Sequence, residues 1–185
     1  MDDSRQYFGR MAEQWDDIRQ GYFTERVREA AIARAELRPD MVVADVGSGT
    51  GFMAIGLAPL VREVVCLDNS PEMLEVARRN LAEASNVRFE LADGSCLPLA
   101  DGNVDAVFAN MYLHHAPDPL TSIREMVRVL RPGGMLVITD MDKHDNEWQR
   151  AEMADLWLGF ERDQIRAWYE EAGLAEVDVG STGET

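Results

Sequence analysis

Gly47, Gly49 and Gly51 stand on alternate positions of the stretch V43-A-D-V-G-S-G-T-G-F52, between an apolar run and a helix-like segment. Three missing side chains weaken local structure, so the backbone there must turn with positive φ or come close to something. Backbone N–H groups at a helix start suit an anionic ligand group, which makes this a candidate nucleotide loop. The frame decides which nucleotide. A dinucleotide loop runs G-x-G-x-x-G, and its third glycine lets the helix pack on the strand. Here Phe52 occupies that place and Gly51 comes one residue early. A phosphate loop ends in G-K-[ST], yet the chain's single lysine is Lys143. Thr139 lies four residues before that lysine, so the Tyr-x-x-x-Lys pair of a short-chain dehydrogenase is missing as well.

Further candidates follow in order along the chain. Asp68 stands near the spacing of a ribose-binding acid at the end of a second strand; taken alone it also reads as a turn acid before Asn69-Ser70. Asp93-Gly94 alone is a turn signal. His114 and His115 change charge near neutral pH and are candidate general bases, against the alternative that they pack at a sheet edge. Asp140, Asp142, His144, Asp145 and Glu147 lack a recognised ligand spacing and read as a helix cap, so no metal is expected. Cys66 and Cys96 form no CxxC pair and read as free thiols in a reducing cytoplasm.

The elements that must position these residues alternate from residue 41 onward. Apolar or alternating runs at 41–46, 64–68, 87–91, 104–110 and 134–140 predict five strands. Helices are predicted from Gly51 to Leu60, over 70–81 with Ser70 as N-cap and Pro71 in the first turn, after Asp118-Pro119, and near 161–172. R131-P-G-G134 is expected to end the fourth strand's helix, and A175-E-V-D-V179 to form a last short strand. Such alternation implies right-handed crossovers and an α/β, doubly wound, mostly parallel sheet. The whole reads as one domain: a helical segment over 1–38, a core over 39–140, an insertion over 141–160, and a last helix and strand over 161–185.

D45-V-G-S-G-T-G51 resembles motif I of the class I S-adenosylmethionine (SAM)-dependent methyltransferases. The resemblance continues through Asp68, A92-D93-G94, N110-M-Y-L-H-H115 and L130-R-P-G-G134, covering roughly residues 38–140. It is nearest to the small-molecule branch typified by the ubiquinone/menaquinone C-methyltransferases, the methyltransferase type 11 group. The resemblance implies a Rossmann-like sheet and SAM as cofactor. It implies that Gly47, Ser48, Gly49 and Gly51 bring backbone to the methionine moiety, while Asp45 helps hold its ammonium. Asp68 would take the ribose hydroxyls, and Asp93 with Gly94 the adenine amino group. Asn69 and Met73 would flank the ring, and Asn110 would lie near the reactive end. Y7-F-G-R-M-A-E-Q-W-D16 resembles the aromatic lid ahead of this core, with Tyr7, Phe8, Met11 and Trp15 covering the ligands. Trp148, Trp157 and Phe160 would form the opposite wall. The family ordinarily closes with an antiparallel hairpin, of which only one strand fits here. Either the natural chain extends past Thr185, or an unpaired edge favours a homo-oligomer or a disordered tail.

The formal charge of −16 argues against a nucleic-acid partner or an anionic membrane surface. The acidic start shows no signal peptide, no apolar run is long enough to span a bilayer, and a cytoplasmic protein is expected. The N/D-P-P-Y/F signature of nucleic-acid amino methylation is missing from N110-M-Y-L113. Two cysteines do not supply the placed thiols that arsenite methylation requires. The expected activity is methyl transfer to a small-molecule acceptor. The alternatives are a non-catalytic SAM-binding regulatory module and, more remotely, an NAD(P)-dependent oxidoreductase.

Overall fold

The computed structural model describes residues 3–183; the first two and last two residues, including Thr185, lie outside the described residues. Five strands form a single sheet: β1 (Val42–Val46), β2 (Glu63–Asp68), β3 (Val87–Leu91), β4 (Val104–Asn110) and β5 (Leu130–Thr139). Their order is β3-β2-β1-β4-β5 and every pairing is parallel. The order reverses between β1 and β4. In sheets of this kind a crevice opens there, at the carboxyl ends of the strands.

Strand β1 is buried along its whole length and β2 at its four central residues, as continuous apolar runs between two helical layers should be. On one face, Val43, Val64, Cys66 and Phe108 pack with Phe52, Met53 and Leu57 of α4 (Phe52–Leu57) and Val27 and Ala31 of α3 (Glu25–Ala33). On the other, Ala44, Val65, Leu67 and Val107 meet Met126 and Val129 of α6 (Pro119–Val129). Helix α5 (Pro71–Asn80) starts as its sequence predicts: Ser70 Oγ accepts the Met73 N–H and Pro71 opens the first turn. Asp118 caps α6 in the same way through the Thr121 N–H.

Three segments differ from the sequence-based expectation. The amino-terminal region divides into α1 (Asp3–Met11), a 3-10 turn, α2 (Trp15–Arg19) and α3. The helix before R131-P-G-G134 ends as expected, at Val129, but the strand expected from Gly134 already begins at Leu130 and pairs with Val104 before its register shifts. Arg131 donates to Asp105 of β4 at 2.6 Å, which holds that irregular start against its neighbour. The predicted strand at 175–179 does not form. Its Val177 carbonyl accepts from Arg166 of α8 (Arg162–Glu171), and Asp178 pairs with Arg34 after α3. These residues therefore lie against α8 and the end of α3. The 141–160 segment carries one short helix, α7 (Trp148–Glu152), and returns beside its own start through a parallel bridge between Asp142 and Phe160.

Candidate active site

The loop leaving β1 is tied sideways to β2: the Gly47 and Ser48 N–H groups both donate to the Leu67 carbonyl, at 2.8 and 3.1 Å. Gly47, Gly49 and Gly51 all have positive φ, 67°, 52° and 91°. Their missing side chains serve different neighbours. A Cβ on Gly47 would come within 2.5 Å of the Tyr112 ring, and one on Gly94 would overlap the Tyr112 hydroxyl. An aromatic ring from the segment after β4 is thus slotted between the glycine loop and the loop after β3, and two glycines make room for it. Only at Gly49 is the space open, the nearest group being Trp15 Nε1 at 4.0 Å.

The acids sit where the strand ends place them. Asp68, at the tip of β2, accepts the Gly49 N–H at 2.8 Å and the Ser70 N–H at 2.9 Å. Burial pushes its carboxyl up, against the pull of those N–H groups. Asp93, after β3, accepts from the Ser95 N–H and hydroxyl. Asn110, ending β4, accepts from the Thr139 hydroxyl at 2.7 Å. One cleft is lined by Asp68, Asn69, Met73, Asp93, Gly94 and Asn110 together with Gly47, Ser48 and Gly49. Asp45 does not line it. Its buried carboxyl lies beneath the loop, takes the Ala54 N–H, and is pushed up to about 7 by burial and by the charge of Asp68. Asp45 Oδ2 and Ser48 Oγ are both buried without a partner.

The amino-terminal helices cover the same cleft. Phe8 and Trp15 line it, joined by Ser4 and Phe23, which the sequence did not single out. Asp16 latches the cover down by accepting from the Thr50 hydroxyl at 2.7 Å and from Asn80 at 2.9 Å. Tyr7 donates to the Met153 sulfur at 3.3 Å, joining α1 to the 141–160 segment, and Met11 is off the lining. Trp148 is exposed. Trp157 and Phe160 pack with Trp168 of α8, away from the cleft. The second aromatic wall expected from the insertion is therefore a core of its own.

His115 lines the cleft with its ring 4.8 Å from that of Phe8. Because the acids of β2 and β3 lie at one end of the sheet order and His115 follows β4, the imidazole sits at the opposite end from Asp93. Burial drives its pKa well below the usual histidine value, and neighbouring His114 adds to this. His114 is buried out of the cleft, 2.8 Å from Asp140. Burial alone would lower its pKa, and the Asp140 charge reverses the direction. The other polar residues of the insertion disperse: Asp142 pairs with Arg162, and His144 accepts the Asn146 N–H.

A cleft with carboxylates toward one end, open backbone at its middle and an orphaned serine hydroxyl in its wall fits a ligand that combines hydroxyls, an amine and a carboxylate. With the all-parallel sheet, this defines a Rossmann-like class I methyltransferase fold. The chain belongs to the family described as the methyltransferase domain, whose profile matches residues 44–138; its cofactor is S-adenosylmethionine. Among curated proteins, it is 33% identical over 170 residues to 2-methyl-6-phytyl-1,4-hydroquinone methyltransferase 1 of Oryza sativa subsp. japonica, covering 90% of this chain and 51% of that one. It is 32% identical over 164 residues to an arsenite methyltransferase of Halobacterium salinarum, covering 83% and 42%. The chain spans about half the length of the curated relatives it matches. Among solved structures, the Haloferax volcanii putative methyltransferase in complex with the Trm112 methyltransferase activator superposes with a TM-score of 0.80. Sequence identity there is 25%, over 94% of this chain and 76% of that one.

Proposed function

We propose that this chain transfers a methyl group from SAM to a small, largely apolar acceptor of the hydroquinone class. The observation that supports it is the composition of the cleft beyond the acids: Phe8, Trp15 and Phe23 wall it, and the His115 imidazole stands among them. A flat ring bearing two hydroxyls, one of them set toward His115, matches that surface. The cysteines support this over arsenite, because Cys66 is buried in β2 with its thiol pushed up by burial, while Cys96 is exposed after β3.

When bound, SAM supplies a methyl group on a sulfonium, displaced in line by the acceptor while the sulfur keeps the bonding pair. Asp68 holds the ribose hydroxyls, Asp93 the adenine amino group, and the glycine loop the methionine carboxylate. Ser48, whose hydroxyl is unpartnered, meets the amine side, while Asp45, off the lining and buried beneath the loop, acts on that side through its charge alone. Phe8 and Trp15 exclude water and align the acceptor, which is where most of the acceleration of such a displacement arises. His115, held neutral by its surroundings, accepts the proton that the acceptor hydroxyl gives up.

A thermal-shift titration with SAM and its demethylated product, run beside NADH and NADPH, tests the first half of this reading. Mass spectrometry of 2-substituted 1,4-hydroquinones after incubation tests the second. A shift with SAM alone followed by a gain of one methyl group is the expected result. Binding without turnover on any hydroquinone overturns the acceptor class, and a shift with a nicotinamide alone overturns the cofactor assignment.

A further inference from the structure

Behind His115 two imidazoles and a carboxylate converge. His114 Nε2 and His115 Nδ1 each lie 3.8 Å from the same oxygen, Asp155 Oδ1. All three donor atoms are within 4.8 Å of one another. A separation of 3.8 Å is too long for a hydrogen bond. Two ligands bound to one ion at about 2.0–2.2 Å each stand roughly 3.4–3.8 Å apart.

The proton inventory points the same way. Asp140 Oδ1 is 2.8 Å from His114 Nδ1, and the same carboxylate accepts the Leu113 and Met141 N–H groups. A carboxylate so placed only accepts, so Nδ1 keeps its proton and Nε2 is the nitrogen of His114 left to face Asp155 and to bind an ion in exchange for its proton. A carboxylate behind one ring nitrogen is how metal-bound histidines are oriented. His114 and Asp155 are 3% and 4% exposed, so little water reaches them to separate the two electron-rich atoms.

An independent observation falls at the same place. Gln149 of α7 is 7% exposed and its Oε1 is buried without a partner. It lines the same small cavity as His114, His115 and Asp155. A buried amide oxygen with nothing to accept from is costly unless something absent from the protein fills the space.

We propose that His114 Nε2, His115 Nδ1 and Asp155 Oδ1, with Gln149 Oε1 as a fourth donor, bind a zinc-class transition-metal ion. Two nitrogen and two oxygen donors suit zinc, cobalt or iron(II), whereas magnesium and calcium prefer oxygen alone. The long 3.3 Å contact from His115 Nδ1 to the Ala154 carbonyl yields when the ion binds. Since His115 also borders the cofactor cleft, an ion there offers an acceptor oxygen a ligand position at that end. With the ion bound, acidifying the acceptor falls to the metal and His115 serves as its ligand. That role rests on the methyltransferase reading; binding of the ion does not.

The test uses the full chain with any histidine tag removed, stripped by a chelator in metal-free buffer. Cobalt(II) titration is followed by visible absorption, and zinc retained after gel filtration is measured by mass spectrometry. One ion per chain is expected, with a cobalt spectrum typical of mixed nitrogen and oxygen ligands. Asp155→Asn and His114→Gln are expected to lose the spectrum, and Asp140→Asn, which alters only the residue behind His114, to weaken binding about 10–100-fold. Wild-type protein that is folded and retains well under one zinc per chain overturns the site. So does an unchanged cobalt affinity in Asp155→Asn. A SAM thermal shift recorded on the same sample separates the two ideas: metal binding without that shift leaves the ion site standing and removes the methyltransferase reading.

Discussion

Asp68 Oδ2 accepts the Gly49 N–H at 2.8 Å, so the acid at the tip of β2 clamps the glycine loop at the tip of β1. One carboxylate thereby shapes the middle of the cleft and presents its remaining lone pairs to a ligand. The two functions cannot be separated by removing the group, and the first prediction uses that.

Asp68→Ala is expected to weaken SAM binding by roughly 1–3 kcal/mol, about 5- to 150-fold in Kd. Asp68→Asn retains an acceptor and loses charge, so its effect should be smaller. Isothermal titration of both variants decides the matter. Equal affinities in wild type and Asp68→Ala would remove Asp68 from the cofactor site.

Gly94 tests whether glycine here serves Tyr112. Its φ lies outside the left-handed region, and the atoms nearest an added methyl group are those of the Tyr112 ring and hydroxyl. Gly94→Ala should destabilise the protein, and Tyr112→Ala should relieve most of that cost. A double-mutant cycle in urea is expected to give a coupling of about 1–3 kcal/mol. Gly47→Ala should be relieved less well, because its φ of 67° keeps about 1–2 kcal/mol of backbone strain whatever Tyr112 becomes. Additive single effects at Gly94 would show that Tyr112 moves aside freely.

The strands from β1 to β4 were legible because each is an apolar run bounded by turn signals, and the positions of Asp68 and Asp93 follow once those runs are aligned. Ser70-Pro71 and Asp118-Pro119 located two helix starts for local reasons, cap and first turn. What stayed hidden depends on contacts between distant parts of the chain. Tyr112 reads as one more aromatic residue after a strand; its slot exists only because Gly47 and Gly94 come together in space. Asp155 and Gln149 carry no local signal, since their partners His114 and His115 lie more than thirty residues earlier. Residues 175–179 have strand-like alternation, yet Arg166 and Arg34 hold them against helices. Trp157 and Phe160 show the converse: aromatics that looked like a ligand wall fill a core with Trp168.

Asp45 predicts a pH dependence. Its folded carboxyl is pushed up to about 7, from an ordinary value of 3.8, by burial beside Asp68. Between those values the folded chain holds a proton that the unfolded chain has released. Stability should therefore fall as pH rises from about 4 to 7, by at most about 1.4 kcal/mol per pH unit from this group, and level off above. Asp45→Asn removes the titration, so its stability relative to wild type should improve across that window. Urea denaturation of both proteins from pH 4.5 to 8 checks it; parallel curves would mean that Asp45 is charged throughout.

The cover over the cleft is held by side chains as much as by packing, and its latch makes the last prediction. Asp16 accepts from Thr50, within the glycine loop, and from Asn80, on α5. Asp16→Ala breaks both bonds, and with them its 3.3 Å contact with Arg19 of α2, while leaving Phe8 and Trp15 on the lining intact. Each bond to a charged acceptor contributes about 1.5–3 kcal/mol when made, less where water competes. Asp16 is partly exposed, so a loss of roughly 1–2 kcal/mol in the closed state is the reasonable figure. The cost should appear as a faster SAM off-rate, because the latch acts after the ligand has entered, with the on-rate little changed. His115→Ala should do the reverse: SAM binding within about threefold of wild type, and turnover on a hydroquinone lowered by about 10²–10⁴. Stopped-flow binding and single-turnover methyl transfer on the two variants separate cover from chemistry. If Asp16→Ala alters turnover alone, or His115→Ala alters SAM binding alone, the division of the cleft into a latched cofactor half and a histidine half is wrong.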